Sequence, residues 1–535
     1  MYMKKAKVSD FHQRCTALML ILTVGFGALW HRLYVLATDE TLQTAAAAQR
    51  TYVMEAARIR GTIYDCNLSP MTNRAQRWIT VAVASPAAVT MLRRTLPASL
   101  QTDILEQLQK GKPVLLNDRL PQVPGILSVQ VPVRYSAEGS AVHIIGYVDA
   151  SGQGVCGIEK DWNALLQDSG GKVQMRYRAD AWGRTLNGDE LEEVRAGGDG
   201  TAGVVLTIDR NIQQMAEEIA QKSLPKGAII ITETRTGKIR AMVSTPGYDP
   251  DNAAQAMTAP DSPLLNRALC SYNVGSVFKL VTACCAAETL EQLPEMYCTG
   301  TLLHHGRPFR CIYGKEHGHV GLGRAIALSC NGYFIRLAEQ VGAKSVYTMA
   351  QRLGFGREIA LTDSIRSAAG TMPTLQDLSA PAALANFSFG QGALMASPLQ
   401  VAVMIQTIAN DGVQIAPTLV EGTVGDTGAF VPAEPAARER ILSEEAAKIV
   451  QHAMRMTVTE GTASHAAPEG GAGAKTATAE TGWYQNGEAV VQAWCAGFCP
   501  AETAEYSIVV FAENGRSGSA ACAPIFKELA EGLRK

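Results

Sequence analysis

A serine followed three residues later by a lysine occurs at Ser169-Gly170-Gly171-Lys172, Ser223-Leu224-Pro225-Lys226 and Ser276-Val277-Phe278-Lys279. Such a pair has a chemistry open to it. A hydroxyl is a weak nucleophile until a neighbouring base takes its proton, and a neutral amine is such a base. Residues three apart share a face only where the backbone is helical. The Gly-Gly pair and Pro225 spoil a helix at the first two sites. Ser276 instead opens the run Val277 to Glu288, which is apolar nearly all round and predicts a buried helix. The positive end of that helix's dipole then lies at Ser276, where developing negative charge is favoured. Taken alone, the pattern equally describes a helix start followed by a surface lysine.

Two later segments have matching chemistry. Ser329-Cys330-Asn331 precedes a predicted helix from Gly332 to Val341. Lys475-Thr476-Ala477-Thr478 follows the flexible Gly470-Gly471-Ala472-Gly473 and precedes a strand near Trp494. A second lysine matters because Lys279 can act as a base only when neutral. Burial and the positive charge of Lys475 are the two influences expected to depress its pKa.

Ser-x-x-Lys, Ser-x-Asn and Lys-Thr-Gly, in that order, are the motif set of serine β-lactamases and penicillin-binding proteins. On these residues the sequence resembles a class B penicillin-binding protein, and the likeness runs over nearly all of the chain beyond the N-terminal apolar stretch. It includes Arg60-Gly61-Thr62-Ile63-Tyr64-Asp65, Gly154-Val155-Cys156-Gly157-Ile158-Glu159 and Leu206-Thr207-Ile208-Asp209. It continues through Thr236-Gly237, Ala241-Met242, Tyr248-Asp249-Pro250 and Asn266-Arg267. Gly390-Gln391-Gly392, Ser397-Pro398-Leu399-Gln400 and Ala409-Asn410-Asp411-Gly412 complete it.

The resemblance implies an α+β chain: an N-terminal membrane anchor, a mixed pedestal domain, then a penicillin-binding transpeptidase domain. The last is expected to resemble the serine β-lactamase fold, an antiparallel sheet flanked by helices. The expected divisions are a cytoplasmic tail over 1–14, an anchor over 15–37, a dimerisation-type pedestal over 38–200 and the transpeptidase domain over 201–535. No glycosyltransferase domain fits between anchor and pedestal, and no repeat domain is expected after the last.

The implied activity is D,D-transpeptidation of D-Ala-D-Ala stem peptides through a Ser276 acyl-enzyme, inhibited by β-lactams. The resemblance gives Lys279 the role of base and has Ser329 shuttle a proton to the leaving D-alanine. Asn331 would orient Lys279 and the substrate amide. Lys475, Thr476 and Thr478 would hold the terminal carboxylate, with Ala477 beside them. Backbone N–H groups of Ser276 and Thr478 would form the oxyanion hole. The strand carrying Thr478 could also pair with the peptide edge to edge. A multi-spanning SEDS-type glycosyltransferase is the implied partner.

Two departures from the family pattern stand out. Ala477 replaces a glycine, and strand alternation puts its methyl on the face of Lys475, where it would crowd the site. Val274 replaces a proline two residues before the nucleophile, loosening the entry to the helix but leaving Gly275.

These residues need elements to hold them. Lys4, Lys5, Lys7 and Arg14 precede an apolar run that begins at Cys15 and resumes after His31 and Arg32 through Ala37. The run is long enough to span a bilayer, for which about 17–25 residues are needed. The basic flank predicts that its N-terminal end is cytoplasmic and the bulk of the chain outside. A cleaved signal peptide is the competing reading, since Val35 and Ala37 are small residues suited to a cleavage site. Thr41 to Arg58 has helical character through its Ala45–Ala48 run, and Arg60 to Asp65 reads as extended. A strand over Val204–Ile208 leads to a helix from Asn211 to about Ser223, with Asp209 as N-cap. Ala228–Thr232 and Lys238–Ser244 flank the turn at Arg235-Thr236-Gly237. Val490–Gly497 and Tyr506–Phe511 read as strands, and Ala523–Leu533 as a helix.

Lys plus Arg total 48 against 50 Asp plus Glu, with no basic stripe, which disfavours nucleic-acid binding. Twelve cysteines do not form a dense disulfide framework. Cys15 is in the apolar run, Cys284 and Cys285 lie in the buried helix, and Cys495 and Cys499 are too far apart along one strand to bridge. Cys298, His304, His305, Cys311, His317 and His319 share one loop-rich stretch. A surface loop with an optional Cys298–Cys311 bridge is the simpler reading, with a structural zinc site as the alternative, because the spacing matches no standard zinc pattern. No metal or cofactor is assigned from the sequence. Two rivals to the transpeptidase remain. One is a D,D-carboxypeptidase or β-lactamase, though no Glu-x-x-Leu-Asn segment follows Asn331. The other is a catalytically idle scaffold, which intact Ser276 and Lys279 oppose.

Overall fold

The computed structural model describes residues 3–42, 44, 51–136, 139–180, 191–485 and 487–534. They form two compact units that interleave along the chain. The smaller comprises Met1–Arg58, Gln76–Val131 and Lys172–Ala196, and the larger comprises Ile59–Ala75, Pro132–Gly171 and Gly197–Lys535. Three stretches of the expected pedestal, Ile59–Ala75, Pro132–Gly171 and residues 197–200, cluster with the larger unit.

In the smaller unit a helix runs over Met3–Thr38, and its Phe11–Thr38 part is long and apolar enough to cross a bilayer. Two three-stranded sheets follow. One orders Thr51–Ile59, Gly171–Arg178 and Glu192–Gly197, with the middle strand central. The other centres on Ala75–Ala82 and has the helices Pro86–Thr95 and Ala98–Gln109 nearby in sequence. The strand Thr51–Ile59 corrects the helical expectation for residues 41–58. Thr51, Tyr52 and Val53 favour a pleated surface, and the ladder to Gly171–Arg178 outweighs the helical preference of Ala56 and Ala57. The Ala45–Ala48 run lies outside the described residues.

The larger unit is organised by a five-stranded antiparallel sheet. Its order is Ile239–Thr245, Gly227–Glu233, Tyr506–Ala512, Glu488–Cys499 and Gly473–Gln485. Both faces are covered, which is why Ala228-Ile229-Ile230-Ile231 is apolar without alternation. Ala228 and Ile230 join the core that includes helices Lys279–Thr289 and Pro398–Ala409. Ile229 and Ile231 join a second core with helices Arg210–Ser223 and Ala523–Gly532. Asp209 caps the first of these helices by accepting from Asn211 and Ile212 N–H, as its position predicts. Every residue of Pro398–Ala409 is buried, and Ser397 with Gln400 closes a capping box at its start. Cys495 and Cys499 both lie on Glu488–Cys499, buried and unbridged.

The family-like segments near the start of the larger unit meet in a buried ion cluster. Arg60 Nε lies 2.6 Å from Glu159 Oε2, and Arg134 Nε lies 2.6 Å from Glu159 Oε1. Tyr135 donates its hydroxyl to the same carboxylate at 3.1 Å. Arg60 also donates to the Gly152 and Glu159 carbonyls and to Asn163 Oδ1.

Candidate active site

Ser276 sits on a 3-10 turn, Gly275–Phe278, and the α-helix proper starts at Lys279. The tighter turn still suits the spacing, since side chains three apart eclipse in it. From Val274 to Lys279, Ser276 alone is partly open while its neighbours are buried. Two glycines make the turn possible. Gly275 has φ +60°, and a Cβ there would come within 3.0 Å of Ala479 Cβ and 3.4 Å of Ala477 Cβ. Gly390 accepts a hydrogen bond from Gly275 N–H at 3.0 Å, and a Cβ on Gly390 would lie 1.9 Å from the Gly275 carbonyl oxygen. The Gly390-Gln391-Gly392 segment is thus a backbone support for the nucleophile turn.

Lys279 is fully buried, and its Nζ donates to Ser329 O at 2.8 Å, Ser329 Oγ at 3.0 Å and Asn331 Oδ1 at 2.7 Å. None of its hydrogen bonds goes to Ser276 among the described residues. Ser329 reaches its place in a left-handed conformation, φ 54°, just before the helix Asn331–Val341. Lys475, also fully buried, donates to Ser329 Oγ at 3.2 Å and to Thr476 O at 2.6 Å. One hydroxyl therefore lies between two lysine amines. Among the described residues no carboxylate bonds to either amine.

Burial governs the charge of both. It pushes Lys279 down from the ordinary lysine value to about 7, against a smaller upward pull from the thiols of Cys330 and Cys311. Lys475 is held well below the ordinary value by burial first and then by the nearby Lys279 charge. Burial is the leading cause for both lysines, and the repulsion between the two amines belongs to the pair.

The strand Gly473–Gln485 is an edge of the five-stranded sheet, so alternate N–H groups along it have no partner in the sheet. Lys475, Ala477 and Ala479 occupy one face by alternation. The Ala477 methyl is 3% exposed and lies against the nucleophile turn at Gly275 rather than in open space. Thr478 is exposed, and its hydroxyl accepts from Gly518 N–H at 3.2 Å. Thr476 donates its hydroxyl to Thr462 Oγ1 at 3.1 Å. Val274 is fully buried in the core before the turn.

The cysteine and histidine group divides. Cys298, Cys311 and His317 gather with Cys330, all four ligand atoms within 4.8 Å of one another. His304 and His305 gather instead beside Glu339, and His319 belongs to neither group. Cys330 had no signal as a ligand in the sequence, where it served only as the middle residue of Ser-x-Asn.

Residues 227–531 match the family model described as the penicillin binding protein transpeptidase domain. Stage V sporulation protein D of Bacillus subtilis is 27% identical over 75% of this chain, and the match spans 64% of that protein. Peptidoglycan D,D-transpeptidase PbpA of Mycolicibacterium smegmatis is 31% identical over 69% of this chain and 77% of its own length. A chain in a solved peptidoglycan synthase complex that coordinates polymerization and crosslinking is similar in fold. It has a TM-score of 0.69 at 23% identity, over 97% of this chain and 98% of that one. With the family model covering more than half of it, and the Ser276, Ser329 and Lys475 motifs meeting in one place, the chain belongs to the penicillin-binding protein transpeptidase family, in its class B form.

Proposed function

We propose that this chain is a membrane-anchored peptidoglycan D,D-transpeptidase that works through a Ser276 acyl-enzyme. The observation that carries the reading is the convergence of two fully buried lysines on the Ser329 hydroxyl beside the Ser276 turn. Three acceptors around Lys279 Nζ match the three N–H groups of an ammonium. Loss of a proton frees a lone pair and gives up one of those bonds. The neutral amine then accepts the Ser276 proton as Oγ attacks the carbonyl of the penultimate D-alanine. Ser276 and Thr478 backbone N–H groups stabilise the oxyanion. Ser329 relays the proton to the departing D-alanine amine, and Asn331 holds Lys279 and the substrate amide. Lys475, Thr476 and Thr478 bind the substrate carboxylate, with Ala477 packed behind them. In the second half, an acceptor amine gives up its proton along the same route and the ester at Ser276 is resolved as a new amide.

The N-terminal helix is a single span with the catalytic unit outside the cytoplasm, in keeping with the basic residues before it. A glycan-polymerising membrane enzyme is the partner, which supplies the strands to be linked. Acylation by a labelled penicillin, mapped by mass spectrometry, tests the nucleophile. The adduct is expected on Ser276 and absent from Ser276→Ala; an adduct on Ser223 or Ser169 overturns the assignment. Incubation with a D-Ala-D-Ala peptide and a D-amino acid acceptor tests the reaction class. Exchange of the terminal D-alanine is expected, whereas release to water unchanged by acceptor would make this a carboxypeptidase. No acylation at all would leave a scaffold.

A further inference from the structure

Three of the four gathered ligands come from one insert. Cys298 ends the strand Met296–Cys298, which pairs with Gly318–Val320 so that Cys298 stands opposite Gly318. Cys311 follows the hairpin Thr301–His304 with Arg307–Arg310, and His317 immediately precedes Gly318. The fourth, Cys330, stands between Ser329 and Asn331. Two hairpins of three and four residues a strand have little core of their own, and isolated pairs this short are barely stable. Something must tie them down.

The spacing of the ligand atoms identifies it. Cys298 Sγ lies 3.7 Å from Cys311 Sγ, and Cys311 Sγ lies 3.9 Å from Cys330 Sγ. His317 Nδ1 lies 3.4 Å from Cys298 Sγ. An ion bound tetrahedrally at ~2.3 Å from sulfur and ~2.0 Å from nitrogen sets sulfur–sulfur edges of about 3.8 Å and sulfur–nitrogen edges of about 3.5 Å. The three thiols are buried, and Cys298 Sγ also accepts the Gly300 N–H at 3.4 Å, as thiolates bound to metal commonly do. A disulfide would use two of the three sulfurs and leave the third beside an imidazole with no role. Three of the six ligand-to-ligand edges match these values and all six lie within 4.8 Å, and a set of three sulfurs and one imidazole suits zinc above the other common divalent ions.

We propose that Cys298, Cys311, His317 and Cys330 form a structural zinc site that pins the Ser329–Asn331 loop to the Met296–Val320 hairpins. Asn331 Nδ2 donates to Arg310 O at 2.8 Å and forms a second tie between the same two segments. The ion touches no substrate. Cys330 is a positioning residue: its neighbours on both sides supply the acceptors that hold Lys279. This replaces the simpler sequence reading of a loop with an optional bridge, and it adds a ligand that reading lacked.

The coordination stands apart from the proposed activity, while its effect on acylation rests on the transpeptidase reading. The full chain, purified in detergent with reductant and no chelator, should carry about one zinc per molecule. Replacing the zinc with Co²⁺ should give the visible absorption of a tetrahedral thiolate complex. Cys311→Ser should lose the metal, and His317→Cys should keep it, since four thiolates serve equally well. Labelled penicillin should acylate the stripped protein about tenfold or more slowly than the loaded one. His317→Cys should restore the loaded rate, which a variant that merely misfolds would not do. Chains with under a tenth of an equivalent of metal, or full metal retained in Cys311→Ser, overturn the site. Full metal together with an acylation rate unchanged by stripping overturns the positioning role. Failure of both loaded and stripped protein to acylate, with metal present, sinks the activity reading and leaves the site standing.

Discussion

Two buried groups of ionisable side chains in the larger unit meet the cost of leaving water in opposite ways. Around Glu159 the charges are kept and paired: Arg60 and Arg134 close on the two carboxylate oxygens, and backbone carbonyls and Asn163 take further donors, with Arg134 Nη2 left without a partner among the described residues. Around Ser329 two lysines are buried with hydroxyl, amide and carbonyl partners and no carboxylate partner among the described residues. An unpaired charge in such a place is expensive, so the amine sheds its proton instead. Pairing makes a group that holds structure. Withholding the partner makes a group that can take and return a proton, which is what a catalytic base must do.

The widest gap between the two should appear on removing one member of each. Lys279→Met should slow penicillin acylation by about 10²–10⁴-fold, the usual contribution of a general base, and barely move the melting temperature because no opposite charge is orphaned. A rate within threefold of the parent would show that Lys279 is not the base. Glu159→Gln should do the reverse. It strands two buried guanidinium groups, at a cost of about 3–5 kcal/mol seen as a lower melting temperature, while the acylation rate per folded molecule stays the same. Unchanged melting would mean that the Arg60 and Arg134 carbonyl contacts suffice without the carboxylate.

A smaller effect follows from pH. Burial lowers Lys279 to about 7. The neutral form is the base, so acylation should rise with pH, about tenfold per unit below 7, and level off above it. A profile still climbing at pH 9 would mean that the lysine keeps its ordinary basicity. The smallest effect belongs to the departure at residue 477. Its methyl packs against the Gly275 turn, so Ala477→Gly removes contacts and adds backbone freedom, costing about 1 kcal/mol in stability. Acylation should shift by no more than a few-fold, with the split between acceptor amine and water unaltered. A large gain in rate would restore the sequence expectation that the methyl obstructs the cleft.

Local chemistry made part of this molecule legible from its residues. The buried helix after Ser276, the cap at Asp209 and the unbroken apolar strand at Ala228–Ile231 each follow from propensity, capping or hydrophobic pattern within a short window. So did the membership of Ser276, Lys279, Ser329, Asn331 and Lys475 in one motif set, since the order of three short segments survives in the linear chain. Thr51–Ile59 was misread because its partner strand lies more than a hundred residues away, and a ladder of that range has no trace in the local sequence. The acceptors of Lys279 were equally out of reach. Spacing put it on the face of Ser276, and only the left-handed turn at Ser329 brings Ser329 and Asn331 to its amine. Cys330 gives the sharpest case. Its neighbours in sequence mark it as a motif spacer, and only the packing of a distant hairpin against that loop brings three more ligands to its sulfur. Periodicity and motif order are properties of the chain. Proton affinity and coordination depend on which groups are excluded from water together, and that is decided only when the tertiary structure closes over them.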